Sequence, residues 1–291
     1  MTAAETFDDH KARRNAVILA IAQALYGATL TALVVTSGLV GTQLAPDPSW
    51  ATMPMSMTII GTALTTFPIS LMMKRIGRRA GFMICAMLGA LGSLLGTYAI
   101  FEKSFGLFLA GALMLGIYQA SASYYRFAAA DLASPQFRPK AISWVMTGGV
   151  AAALFGSLLV MATVDLLAPI TFAGTWVAMA VLALIGAALL MAVDIPYKAE
   201  ANAPTGRPLP EIARQPRYIV AVATATLTYG IMMLVMTATP VAMLGCGFTV
   251  QDSSWVIQWH ALSMFVPSFF TGSLIARYGA ERISIIGMVL L

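Results

Sequence analysis

Long apolar runs, each broken by a short polar turn, fill almost the whole chain. They predict helices over residues 16–41, 50–73, 80–101, 105–130, 141–164, 169–193, 218–244 and 253–276, with a ninth beginning near Ile283. A bilayer-spanning helix takes about 20 apolar residues, and each full run reaches that length. One connection stands apart. Residues 194–217 are rich in Pro, Ala and basic residues and have no apolar periodicity, so they read as a linker, with a short interfacial helix expected at Leu209–Arg214. The pattern divides the chain into a six-helix half, 1–193, a cytoplasmic linker, 194–217, and an incomplete second half, 218–291.

Composition sharpens the picture. Hydrophobic residues make up 59% of the chain and charged residues 10%, against roughly 25% charged in soluble globular domains. A soluble domain is excluded. The net charge of +5 raises the question of a nucleic-acid partner, and its distribution answers it. Of the 17 Lys and Arg, 15 fall in the N-terminal tail or in alternate loops, leaving only Lys103 and Arg126 outside that set. That bias is the positive-inside rule. It predicts a cytoplasmic N-terminus, a multi-pass protein of the inner (plasma) membrane and no nucleic-acid partner. The first apolar run is too long for a signal-peptide core and has no cleavage site after it. Cys85 and Cys246 are expected at opposite ends of the membrane, too far apart to pair.

Two loops repeat. "SLMMKRIGRR" at Ser70–Arg79 has a weaker echo, "GSLIARYGAE" at Gly272–Glu281, 202 positions later. Tyr26-Gly27 and Tyr229-Gly230 lie 203 positions apart. Two matches at nearly one offset, in the same order, indicate an internal duplication, and parallel six-helix repeats are one known transporter plan. The first loop resembles the helix 2–3 motif of the major facilitator superfamily, G-x-L-x-D-R-x-G-R-R. Arg75, Gly77, Arg78 and Arg79 match it, while Ser70, Met72 and Lys74 depart from it. The second copy keeps Gly272, Leu274, Arg277 and Gly279.

The resemblance implies an all-α membrane bundle of twelve helices, of which this chain carries eight and the start of a ninth, so a C-terminally truncated chain is expected. It also implies that the motif Arg pairs with an acid at the cytoplasmic end of helix 4 and latches the outward-open state. Asp131 occupies that place, with Arg75 as its expected partner. Lys74 stands where the family has Asp, and a cation facing a helix N-terminus is unfavourable. The alternative role for the loop is a plain topology anchor. Gly77 is needed in the tight turn, where a Cβ is costly at positive φ.

Ionisable groups inside a membrane are expensive and usually functional. Arg126 lies about 30 Å along helix 4, at its cytoplasmic end. It either lines the inner mouth of a cavity or snorkels to the headgroups. Gln119, Ser123 and Arg126 share a helix face, which favours the cavity. His260 falls near the midplane of helix 8, either as a cavity residue open to proton coupling or as a neutral imidazole bonded to a neighbouring helix. Gln258 is about 200° away around the same helix, so the two cannot both face the cavity squarely. Tyr26 and Tyr229, each about 15 Å into its helix, are candidates for facing cavity walls. Met232, Met233 and Met236 read as packing rather than a metal box, and no metal or cofactor is expected. No Asp or Glu lies at mid-membrane.

These features predict a secondary transporter that moves a small organic solute, neutral or weakly anionic, by alternating access of two halves, with protons as the candidate coupling ion and a monomer as the working unit. A membrane-embedded enzyme would need clustered catalytic groups, and a non-transporting sensor would need a soluble domain. The sequence offers neither.

Overall fold

The structure, a computed structural model, describes residues 8–195, 208–267, 269, 274 and 277–290. These form helices and turns without a strand. In chain order the helices are α1 (Asp9–Leu44), α2 (Met53–Ile76), α3 (Arg78–Phe101), α4 (Phe105–Ala122), α5 (Tyr125–Ala128), α6 (Arg138–Thr163), α7 (Ala173–Leu190), α8 (Leu209–Ala213), α9 (Pro216–Gly245), α10 (Val250–Phe265) and α11 (Ala280–Leu290). Among the described residues, seven spans are long and apolar enough to cross a membrane, with α4 and α5 together making one of them. Large apolar side chains such as Leu64, Phe67 and Ile185 point outward, as expected where hydrocarbon is the solvent.

With lipid outside, burial of apolar area no longer drives helix association. Close packing of small residues and hydrogen bonds between helices take over. The α1–α6 seam shows the first. A Cβ added at Gly148 would collide with the Ala20 carbonyl, and one added at Gly156 would lie 2.5 Å from the Thr31 Cβ. The glycines of α6 therefore serve packing. Hydroxyl stitches show the second. Thr58 and Thr62 of α2 donate to the Ala112 and Gly116 carbonyls of α4, both at 3.0 Å. Ser157 of α6 donates to the Ser254 carbonyl of α10 at 2.9 Å.

Several helix bounds differ from the sequence pattern, among them the end of α10 at Phe265 rather than 276, and three of the differences have a visible local cause. Helix α1 starts at Asp9 because Asp8 caps it, accepting from the Lys11 amide at 3.0 Å. Its polar first turns clasp the cytoplasmic side. Asn15 exchanges two hydrogen bonds with the Asp194 backbone, at 2.8 and 3.0 Å, and Lys11 pairs with the Asp194 carboxylate at 3.1 Å. Asp9 accepts from the Ser134 amide and hydroxyl. The fourth apolar run is interrupted at Ser123, whose hydroxyl donates to the Ala120 carbonyl at 2.7 Å. That competing bond belongs to the local set that loosens helices, and the chain resumes as the one-turn α5. Helix α7 begins at Ala173 rather than 169, after a run of turns ending at Phe172, whose φ is +71°.

Candidate functional site

Two adjoining chambers lie among the helices. The polar one, about 330 Å³, is lined by Gln23 and Tyr26 of α1, Thr62 of α2, Gln119 of α4, and then Ser123, Arg126 and Tyr229. The apolar one, about 120 Å³, is walled by Leu30, Met232, Met233, Met236, Met264 and Phe265. Gln23, Tyr26 and Tyr229 belong to both linings. A third space, an open crevice of about 1060 Å³ between α2 and α9, also meets Tyr229 and Met233. It is the largest of the three, but it is an open groove between two helices with no charged side chain in its lining, so we assign the chemistry to the two chambers. The linings draw on α1, α2, α4, α5, α6, α9 and α10, with no contribution from α3 or α7.

Each polar side chain is held differently. Tyr26 is buried, its ring edge-on to Tyr118 with centroids 5.1 Å apart. Tyr229 is 43% exposed, and its hydroxyl accepts from the Gln119 amide nitrogen at 3.4 Å. Arg126 projects from α5 with its guanidinium carbon 4.9 Å from the centroid of the Phe127 ring, and among the described residues it has no ion-pair partner. The chamber therefore carries one formal positive charge, several hydroxyls and amides, and a soft apolar end. Methionine suits that end because its polarizable thioether packs well against aromatic rings.

The structure brings Tyr26, Gln119, Ser123, Arg126 and Tyr229 together. It does not bring Gln258 or His260 to either chamber. Gln258 is buried on α10, on the side carrying Ser254 and Ala261. His260 is half-buried, with its Nε2 shielded and unpartnered among the described residues. Gln23 and Thr62 were missed by sequence reasoning. Gln23 precedes Tyr26 by three positions, one turn along the same face, and that spacing was the available signal. Among the described residues no cluster of His, Cys, Asp or Glu is suited to a metal.

The loop between α2 and α3 turns at Gly77, whose φ is +88°, in the region where a Cβ is penalised. Gly279 in the second copy has φ +86°. Gly272 lies outside the described residues. Arg277 stacks its guanidinium carbon 5.3 Å from the Tyr278 ring centroid. The partner of Asp131 corrects the sequence expectation, because Arg78 takes that place instead of Arg75. One Arg78 terminal nitrogen donates to Oδ1 at 3.0 Å and its Nε bonds Oδ2, a two-point contact. The turn at Gly77 makes Arg78 the first residue of α3 and aims it at the loop after α5. Arg75, in the last turn of α2, is exposed, as are Lys74 and Arg79. Partial burial pushes the Asp131 carboxyl above its ordinary range, and Arg78, with a smaller pull from Arg138, lowers it without cancelling the rise.

Known proteins are similar to this chain over most of its length. The Major Facilitator Superfamily model matches residues 19–291. The Riboflavin transporter RfnT of Brucella anthropi is 44% identical over 287 residues, covering 98% of this chain and 72% of that protein. The MFS-type transporters YdeG and YddS of Bacillus subtilis are 27% and 26% identical, each over 94% of this chain and over 67% and 66% of their own lengths. The chain thus spans about two thirds to three quarters of these relatives. With the family model covering nearly all of it, the chain belongs to the Major Facilitator Superfamily, as a multi-pass membrane transporter of a small solute rather than an enzyme.

Proposed function

We propose that the solute is a flavin of the riboflavin type, held in the two chambers between Tyr26 and Tyr229 and moved by alternating access of residues 1–193 against residues 218–291. The observation that carries this reading is the two-sided cavity. A flavin has an apolar fused ring at one end, a polar ring at the other and a polyhydroxyl side chain. The amide- and hydroxyl-bearing chamber suits the polar parts, and the methionine-lined chamber suits the apolar ring. The 44% identity to a riboflavin transporter supports the same class. The test is uptake of radiolabelled riboflavin into proteoliposomes. Saturable uptake that unlabelled riboflavin competes away is the expected result, and a sealed, inert protein overturns the reading.

We read the protein as a monomer in the inner membrane with its N-terminus in the cytoplasm, and His260 as the candidate group for proton coupling. The bias of Lys and Arg to one set of loops supports the orientation. Cys246 gives a direct check. It is free and exposed just beyond the far end of α9, while the other cysteine, Cys85, is buried. A membrane-impermeant maleimide added to intact cells is expected to label the protein, and Cys246→Ser is expected to abolish labelling. Labelling only after permeabilisation would reverse the orientation.

A further inference from the structure

The polar chamber holds an acceptor without a donor. Gln119 is half-buried on α4. Its amide nitrogen is used on the Tyr229 hydroxyl. Its Oε1 is shielded from solvent and accepts nothing among the described residues. Arg126, on the same lining, has donors only. A shielded acceptor on the same lining as a fork of donors is complementary to a group in which one N–H is flanked by carbonyls. That group is an imide. A simple hydrocarbon ring would leave Oε1 unpaired, and a site of that kind discriminates strongly against ligands that cannot supply the missing bond.

We propose that Gln119 determines specificity by reading the imide edge of the flavin ring. Its Oε1 accepts from the imide N–H, Arg126 donates to a flanking carbonyl, and the dimethyl-substituted end of the ring enters the chamber of Met232, Met233, Met236 and Met264. The proposal rests on the flavin reading above and adds to it an orientation and the residue that senses it. Tyr229 is then a positioning residue as well as a wall, since its hydroxyl holds the Gln119 amide nitrogen while Oε1 has no donor among the described residues.

The test compares riboflavin with riboflavin methylated on the imide nitrogen, which keeps the ring and side chain but loses the donor. Binding to the full chain in lipid nanodiscs is followed by quenching of flavin fluorescence. In the unaltered protein, methylation is expected to weaken binding by about tenfold or more. Gln119→Leu is expected to weaken riboflavin by about tenfold and to shrink the gap between the two ligands to about twofold or less. Gln119→Glu keeps an acceptor and is expected to keep the preference for riboflavin, which a purely structural role for Gln119 would not predict. Thermal melting of each variant separates misfolding from altered recognition. Equal binding of the two ligands by the unaltered protein overturns the proposal, as does an equal loss for both in Gln119→Leu. If neither ligand binds, the flavin reading itself fails and takes the proposal with it, an outcome distinct from equal binding.

Discussion

Tyr229→Ala is expected to reduce riboflavin uptake by about tenfold or more, the largest effect of any single cavity substitution, because truncating a central aromatic anchor commonly costs 2 kcal/mol or more, by the order of about 1.4 kcal/mol per tenfold. Tyr229 is the one side chain that meets both chambers and the open crevice. It lines both the polar and the apolar chamber, and its hydroxyl holds Gln119. The variant should still fold, since Tyr229 is 43% exposed and belongs to no buried core. Tyr229→Phe keeps the ring and gives up one neutral hydrogen bond, so its loss should be smaller, about threefold to tenfold. Tyr26→Ala is a poor substitute for this experiment. Tyr26 is buried against Tyr118, and its removal would create a cavity in the first half as well as change the site. Initial uptake rates at matched reconstitution, with melting temperatures alongside, separate the two cases. Uptake by Tyr229→Ala within twofold of the unaltered protein would remove Tyr229 from the site.

The contrast between these two tyrosines shows what the sequence could and could not express. Their matched Tyr-Gly dipeptides and mid-helix depth were legible, as were the helices, because a bilayer imposes length and apolarity on each span. Their unequal burial was not. It depends on neighbours from other helices, such as Tyr118 of α4 against Tyr26, that no local pattern encodes. The same limit explains Gln23 and Thr62. Each is a single polar residue in an apolar helix, and a polar residue there can bond its own helix as readily as face a cavity. Thr62 does both, accepting a place on the lining while donating to the Thr58 and Gly116 carbonyls. The break in the fourth span was hidden for a related reason. Ser123 reads as one more polar residue on the face of Gln119 and Arg126, yet its hydroxyl bond to Ala120 loosens the helix and lets α5 carry Arg126 on its own short turn. In the α2–α3 loop, spacing alone allowed Arg75 or Arg78 to reach Asp131. The choice is made by the φ of +88° at Gly77, a three-dimensional fact with only the glycine as its sequence trace.

That ion pair yields the second large effect. Asp131→Asn and Arg78→Gln are each expected to lower the uptake rate by about fivefold to tenfold, since a coupling of about 1–1.4 kcal/mol between conformational states shifts their ratio by that amount. The thermal stability of either variant should change by no more than about 1 kcal/mol, because both side chains are 30% exposed and such pairs contribute little to folding. The raised pKa of Asp131 agrees in sign. A carboxyl whose folded value lies above its unfolded value favours the folded state below the unfolded pKa and loses that contribution as pH rises. At neutral pH the ionised form therefore adds nothing to folding that Asn would forfeit, so a loss of rate without a loss of stability is the result that would mark a conformational role. The charge-swapped pair, Arg78→Asp with Asp131→Arg, is expected to recover part of the lost rate, whereas either reversal alone sets like charges face to face and should be worse than the neutral variants. Acidification should reproduce the Asp131→Asn behaviour in the unaltered protein, beginning above the ordinary carboxylate range, and should leave Asp131→Asn itself unchanged over the same interval. If the neutral variants transport at the full rate, the loop is a topology anchor and the Arg78–Asp131 contact has no part in the transport cycle.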